Sequence, residues 1–229
     1  MIMTPARTLF HDRAEAGRYL AGSLMEYAGR RDALILALPR GGVPVAFEIA
    51  KALGVPMDVF VVRKLGVPGH EELAMGAIAS GGVRILNEDV LRHLDITAAA
   101  LDAVTERERS ELARREAAYR DGRALPELCD RVVILVDDGL ATGSTMRAAV
   151  AAVRQQRPAR IVIAVPTAAR ETCEELRREA DAIVCGMTPE PFYGVGQWYE
   201  DFGQTSDEEV RDLLARAREF LKHDGHAHA

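Results

Sequence analysis

The chain has 229 residues, with 29 Lys plus Arg against 35 Asp plus Glu and a formal net charge of −6. Hydrophobic residues make up 48% and charged residues 28%, which excludes a disordered chain and argues against a basic nucleic-acid-gripping surface, so no DNA partner is expected. Apolar runs fall far short of the roughly 18 residues a membrane helix needs, and Met1 to Thr8 lacks a signal-peptide core, so the expectation is a cytoplasmic protein with no membrane partner.

Asp12 to Ala28 reads as an amphipathic helix leading into a buried strand, Ala33 to Leu38. Pro44 to Leu53 is a helix, with Ala46, Ile49, Ala50 and Leu53 at helical spacing, and Met57 to Val62 is a second strand. Residues 63–82 are rich in Gly and turn signals and read as a mobile loop, with short strands near Ala74–Ala79 and Val83–Leu86. Thr97 to Tyr119 is a long charged helix with a narrow apolar stripe of Leu101, Val104, Leu112 and Tyr119. Its charges read as a solvated face, with a partner or homodimer surface as the alternative. Val132–Val136, Ile161–Val165 and Ala182–Cys185 are further apolar strands, alternating with helices at about 144–156 and 170–179. Continuously apolar strands separated by helix-length segments imply a parallel sheet covered on both faces. Right-handed crossovers make it a doubly wound α/β fold with a mainly parallel five-stranded sheet, and residues 1–229 read as one domain.

Chemistry concentrates in Val132 to Arg147, VVILVDDGLATGSTMR. An apolar strand ends in two acids, Asp137 and Asp138, and a turn of small and hydroxylated residues leads into a helix. Small residues let successive backbone N–H groups face an oxyanion, and the helix N-terminus adds partial positive charge. Thr142, Ser144 and Thr145 supply hydroxyl donors. No G-K-[ST] follows the glycine, which disfavours a nucleoside-triphosphate hydrolase. A phosphate cradle beside paired acids at a strand's carboxyl end suits a sugar phosphate.

The stretch DDGLATGST is similar to the phosphoribosyl-pyrophosphate (PRPP) motif of type I phosphoribosyltransferases. The resemblance implies that Asp137 and Asp138 take the ribose hydroxyls, while Ala141, Thr142, Gly143, Ser144 and Thr145 take the 5′-phosphate. Leu38-Pro39-Arg40-Gly41-Gly42 resembles the family's diphosphate loop, with Arg40 supplying charge and Gly41 and Gly42 close backbone approach. Arg63-Lys64-Leu65-Gly66 resembles the start of the catalytic loop of adenine-type members, with both cations facing diphosphate oxygens. Ala141 stands where 6-oxopurine members carry an Asp, which disfavours hypoxanthine or guanine as acceptor. The resemblance implies Mg²⁺ carried mainly by PRPP, and no residue is assigned as a metal ligand.

Phe192, Tyr193, Trp198, Tyr199 and Phe202 crowd eleven positions, which suits either a hood over an acceptor or packing against Asp12–Ala28. The expected hood combines residues 1–30 and 187–205. Cys129, Cys173 and Cys185 lack metal or redox-pair spacing and read as reduced, mostly buried thiols. The functional expectation is Mg²⁺-dependent transfer of a phosphoribosyl group from PRPP to a small nitrogen acceptor, with a non-catalytic PRPP-sensing module as the alternative.

Overall fold

The computed structural model describes residues 9–224. The first eight residues of the expected hood, which are also those read for a signal peptide, lie outside the described residues. In chain order the elements are α1 (Arg13–Ala21), a 3-10 stretch (Gly22–Tyr27), β1 (Ala33–Ala37), α2 (Gly42–Leu53), β2 (Met57–Val59), β3 (Val62–Val67), β4 (His70–Ala79) and β5 (Val83–Leu86). There follow α3 (Glu88–His93), α4 (Ala98–Arg120), β6 (Val132–Val136), α5 (Ser144–Gln155), β7 (Arg160–Thr167), α6 (Arg170–Leu176), β8 (Ala182–Met187) and α7 (Asp207–Asp224).

The five strands read from the sequence form one parallel sheet of order β2-β1-β6-β7-β8. Side chains alternate across it, and both faces are buried. Ile35, Ala37, Ile134, Val136 and Val162 pack with α2 and α7, whereas Leu34, Leu36, Val133, Leu135 and Ile163 pack with residues of α5 and α6. That double burial explains why the strands are continuously apolar. Ala37 is in register with Val136, so β1 and β6 finish together, while β7, with Ala164 opposite Val136, runs three residues further to Thr167.

The expected strand Met57–Val62 divides. Phe60 still donates to the Ala37 carbonyl (2.9 Å), but Val61 exchanges bonds with Ser80 and Val62 opens a second sheet, the antiparallel β3-β4-β5. Residues 63–82, read as a loop, are therefore mostly strand, with a turn at Pro68-Gly69. Turn chemistry is local to the sequence, whereas the pairing that makes a hairpin of Gly-rich sequence depends on β5 and on α4 behind it.

Helix α4 buries its predicted stripe and runs one residue past the expected Tyr119, and two of its charges are buried with the stripe: Glu108, expected in solvent, and Arg120. Arg120 is 3% exposed and bonds Asp58, Glu116 and the Val59 carbonyl, fastening α4 to the sheet edge. Glu108 accepts two bonds from Arg63. Helix α7 formed no part of the sequence reading, although Val210, Leu213, Leu214 and Ala217 follow helical spacing and are all buried. Among the described residues, no helix is long and apolar enough to cross a membrane.

The cysteines are not all the reduced thiols expected. Cys173 and Cys185 form a disulfide, because α6 folds back along β8 and brings together two residues twelve positions apart, with Cα atoms separated by 6.9 Å. Cys129 is free. Closing so short a loop restricts the unfolded chain by about 3 kcal/mol. Reduction by a dithiol, or Cys173→Ser, is expected to lower stability by up to that amount, read as a shift in the urea midpoint. An unchanged midpoint would show that the bridge contributes nothing to folding.

Candidate active site

Both acids sit just past β6, at the carboxyl end of the parallel sheet. Asp138 N–H donates to Asp137 Oδ1 at 2.9 Å, which turns the first carboxylate back against the chain. The glycine turn before α2 packs directly on them. A Cβ at Gly41 would stand 2.0 Å from Asp138 Oδ2, and one at Gly42 would stand 2.6 Å from the Val136 carbonyl. Gly41 and Gly42 are thus dictated by the acid pair itself, besides any closeness to a diphosphate. The Pro39–Arg40 peptide is cis. Arg40 reaches Asp207 at the start of α7, at 3.6 Å. Asp207 also accepts from Tyr119, whose hydroxyl pKa is pushed up to about 12 by burial and then by that bond.

From the other side, two residues, Arg13 of the N-terminal segment and Tyr199, close on Asp138. Arg13 donates from Nε to Asp138 Oδ2 (2.8 Å) and from Nη1 to the Gly203 carbonyl (2.7 Å), while its guanidinium lies 3.9 Å from the centroid of Phe202. The Tyr199 hydroxyl donates to the Asp138 carbonyl at 2.6 Å, and burial raises the pKa of that hydroxyl. Phe10 pairs with Tyr199 through an isolated bridge, and their rings lie 5.7 Å apart. Part of the aromatic cluster therefore packs against the N-terminal segment, while Tyr193 stands 84% exposed. Burial, then the charge of Asp138, raises the Asp137 pKa well above the usual carboxylate range. Asp138 is raised as well, by burial, with Arg13 opposing the shift.

The loop Ala141–Thr145 runs into α5. Gly143 has φ +69°, a left-handed conformation that Gly adopts without the penalty of a Cβ. No side chain caps α5, so the first N–H groups of the helix face the loop, with Thr142, Ser144 and Thr145 exposed beside them. Helix α6 holds the loop from behind: Thr172 donates to the Ala141 carbonyl at 2.6 Å, next to the Cys173 bridge. Arg147 donates to the Thr142 carbonyl and pairs with Glu175 and Glu179.

Arg63 and Lys64 are adjacent in β3 and diverge, as successive strand residues must. Arg63 turns to Glu108 of α4, with bonds of 2.9 and 2.6 Å. Lys64 pairs with Glu72 across the hairpin at 3.3 Å and lines a cavity of about 510 Å³ between α5 and the second sheet, where Ser144, Thr145 and Arg147 also face. The structure thus brings Asp137, Asp138, Gly41 and Gly42 together and Lys64 toward the hydroxyl loop. It directs Arg63 away from both. Arg13, Thr172 and Tyr199 were not assigned contacts with these loops from sequence, because they lie outside the motifs and reach them through tertiary contacts. The acid pair offers oxygen donors alone, and among the described residues no three His, Cys, Asp or Glu converge on a metal-sized site.

A family model described as the phosphoribosyl transferase domain matches residues 9–189. Two Mycobacterium tuberculosis proteins, named "Putative phosphoribosyl transferase Rv0571c" and "Putative phosphoribosyl transferase MT0597", are each 49% identical over 215 residues, 93% of this chain and 48% of theirs. The chain thus spans about half the length of these curated relatives. The crystal structure of TT1426 from Thermus thermophilus is 41% identical, with a TM-score of 0.81 over 91% of this chain and 98% of that one. The AQ2163 protein of Aquifex aeolicus, 13% identical with a TM-score of 0.50 over 88% of this chain and 84% of its own, shares the fold.

The raised pKa of Asp137 has a signed consequence. In the pH range between its unfolded and folded values the folded chain binds more protons than the unfolded one, so stability falls as pH rises. Asp137→Asn removes that loss. The variant is expected to melt above the parent at neutral pH, by about 2–4 °C for each kcal/mol relieved, with a gap that widens upward from about pH 4. Melting curves of both proteins across that range check this, and a pH-independent gap would refute it.

Proposed function

The chain belongs to the phosphoribosyl transferase family, and from that premise we propose that it transfers the 5-phosphoribosyl group of PRPP to a nitrogen acceptor, releasing diphosphate. The observation that carries this reading is the meeting, at one end of one sheet, of an uncapped and hydroxyl-lined helix start with a buried pair of acids. The first suits the 5′-phosphate and the second suits the ribose hydroxyls.

The bond from the anomeric carbon to diphosphate breaks, its electron pair leaves with the diphosphate, and the acceptor nitrogen forms the new bond and gives up its proton. Charge develops at the sugar in the manner of glycoside cleavage, so fixed electrostatics and positioning carry the catalysis. Asp137 and Asp138 hold the ribose through its hydroxyls. Ala141, Thr142, Gly143, Ser144 and Thr145 hold the phosphate. Arg40 exchanges Asp207 for the diphosphate, which the backbone of Gly41 and Gly42 also approaches. Lys64 comes to the departing diphosphate when the hairpin closes, exchanging Glu72 for the ligand. Arg63 serves through Glu108, by fixing the base of that hairpin. The hard carboxylate oxygens of Asp137 and Asp138 would suit Mg²⁺ brought with PRPP. When bound, the ion offsets diphosphate charge.

Calorimetry with PRPP and Mg²⁺ tests binding, and diphosphate release across a panel of bases and amines tests transfer. Asp138→Asn is expected to weaken binding and turnover together. Lys64→Ala is expected to spare most binding and to slow turnover on the order of 10²-fold. No binding at millimolar PRPP would overturn the reading, and tight binding without release for any acceptor would replace it with a PRPP-sensing module.

A further inference from the structure

Arg13 holds a position that neither motif nor composition marks. Its side chain is 12% exposed, and so is almost wholly withdrawn from water. Three features bring it there. The chain before α1 is tied to the 198–201 segment by Phe10 N–H to the Trp198 carbonyl and by Glu200 and Asp201 N–H to the Phe10 and His11 carbonyls. Asp12 caps α1 through the Glu15 N–H. Gly17, one turn on, lets α1 lie so close to α2 that a Cβ there would stand 2.5 Å from the Val45 carbonyl. The first residue of α1 is thereby carried over Gly41 and onto Asp138.

Burying a guanidinium beside a carboxylate is a poor way to gain stability, because desolvation offsets most of the attraction. The pair does fix geometry. Asp138 carries no other side-chain cation bond among the described residues, while Gly203 and Phe202 occupy the rest of the guanidinium. We propose that Arg13 is a positioning residue for the sugar-binding acid, orienting the Asp138 carboxylate for the ribose and fastening the Gly203 segment to that same carboxylate. This rests on the PRPP reading above. Sugar capture and the arrangement of the 199–203 segment are then one event, because a single side chain holds both.

The test measures the affinity for Mg²⁺ and PRPP of the parent, Arg13→Ala, Arg13→Gln and Arg13→Lys, each checked for cooperative melting. Arg13→Gln keeps much of the apolar stem over Phe202 and serves if the alanine variant fails to fold. Loss of one charge-assisted bond at a nearly buried acid is expected to weaken binding about tenfold or more in Arg13→Ala and Arg13→Gln. Arg13→Lys is expected to recover part of the loss, because a point charge replaces a fork. Millimolar guanidinium is expected to restore affinity to Arg13→Ala, whereas equal sodium chloride or urea does not. Parental affinity in the alanine and glutamine variants would overturn the proposal. So would a loss that neither lysine nor guanidinium repairs, which marks a role in folding alone. If the parent itself fails to bind PRPP, the reading of the site falls first and the proposal with it.

Discussion

Two carboxylates placed side by side at the end of a buried strand are an electrostatic difficulty, and the surroundings of Asp137 and Asp138 are arranged around it. Burial disfavours both charges, and the charge of Asp138 further disfavours that of Asp137. The chain answers with one guanidinium, one tyrosine hydroxyl on the Asp138 carbonyl, and a turn whose two glycines leave the oxygens no competitor for space. Such an arrangement is unfavourable for a resting protein and suitable for one whose ligand brings compensating hydroxyl donors and cations to the same place.

The parallel sheet supplies the frame because β1 and β6 end in register and β7 runs on beside them to Thr167. The glycine turn leaves from one strand end, the acid pair and the hydroxyl loop from the next, and Thr167 at the third supplies the carbonyl bonded by Leu140. The second sheet stands beside α5 and presents Lys64 to the same region. Its base is held by charges inside the protein, Arg63 on Glu108, with Arg120 on Asp58 securing α4 behind. The cavity is lined by the base and middle of this hairpin, through Val62, Lys64, Ala74, Gly76 and Ala77, while the Pro68-Gly69 turn lies beyond that lining.

Legibility followed the range of the interaction. The five parallel strands could be read from their own residues, because burial on both faces leaves a continuous apolar signature. The acid pair and the hydroxyl loop could be read because their chemistry is contiguous in the chain. Arg13 could not, because its meaning depends on Asp138, 125 positions away. Glu108 and Arg120 resemble every other charge of α4 until their partners in β3 and at Asp58 are known. Cys173 and Cys185 lack a recognised spacing, and only the return of β8 alongside α6 brings their sulfurs together. Helix α7 does carry a legible stripe in Val210, Leu213, Leu214 and Ala217, but it follows the aromatic cluster and not a strand of the parallel sheet, outside the alternation that marks the other helices.

The divergence of Arg63 and Lys64 would be felt by a mutational library as two unlike codons. Position 63 answers to an internal carboxylate, so a screen for survival after heating would prune its alternatives and a screen for chemistry would see that pruning second-hand. Position 64 is 41% exposed and leans on a hairpin partner that is itself fully exposed, so heat would leave its diversity almost intact. Neighbours in the gene, the two sites would drift under separate constraints, one from the interior of the molecule and the other from whatever enters the cavity.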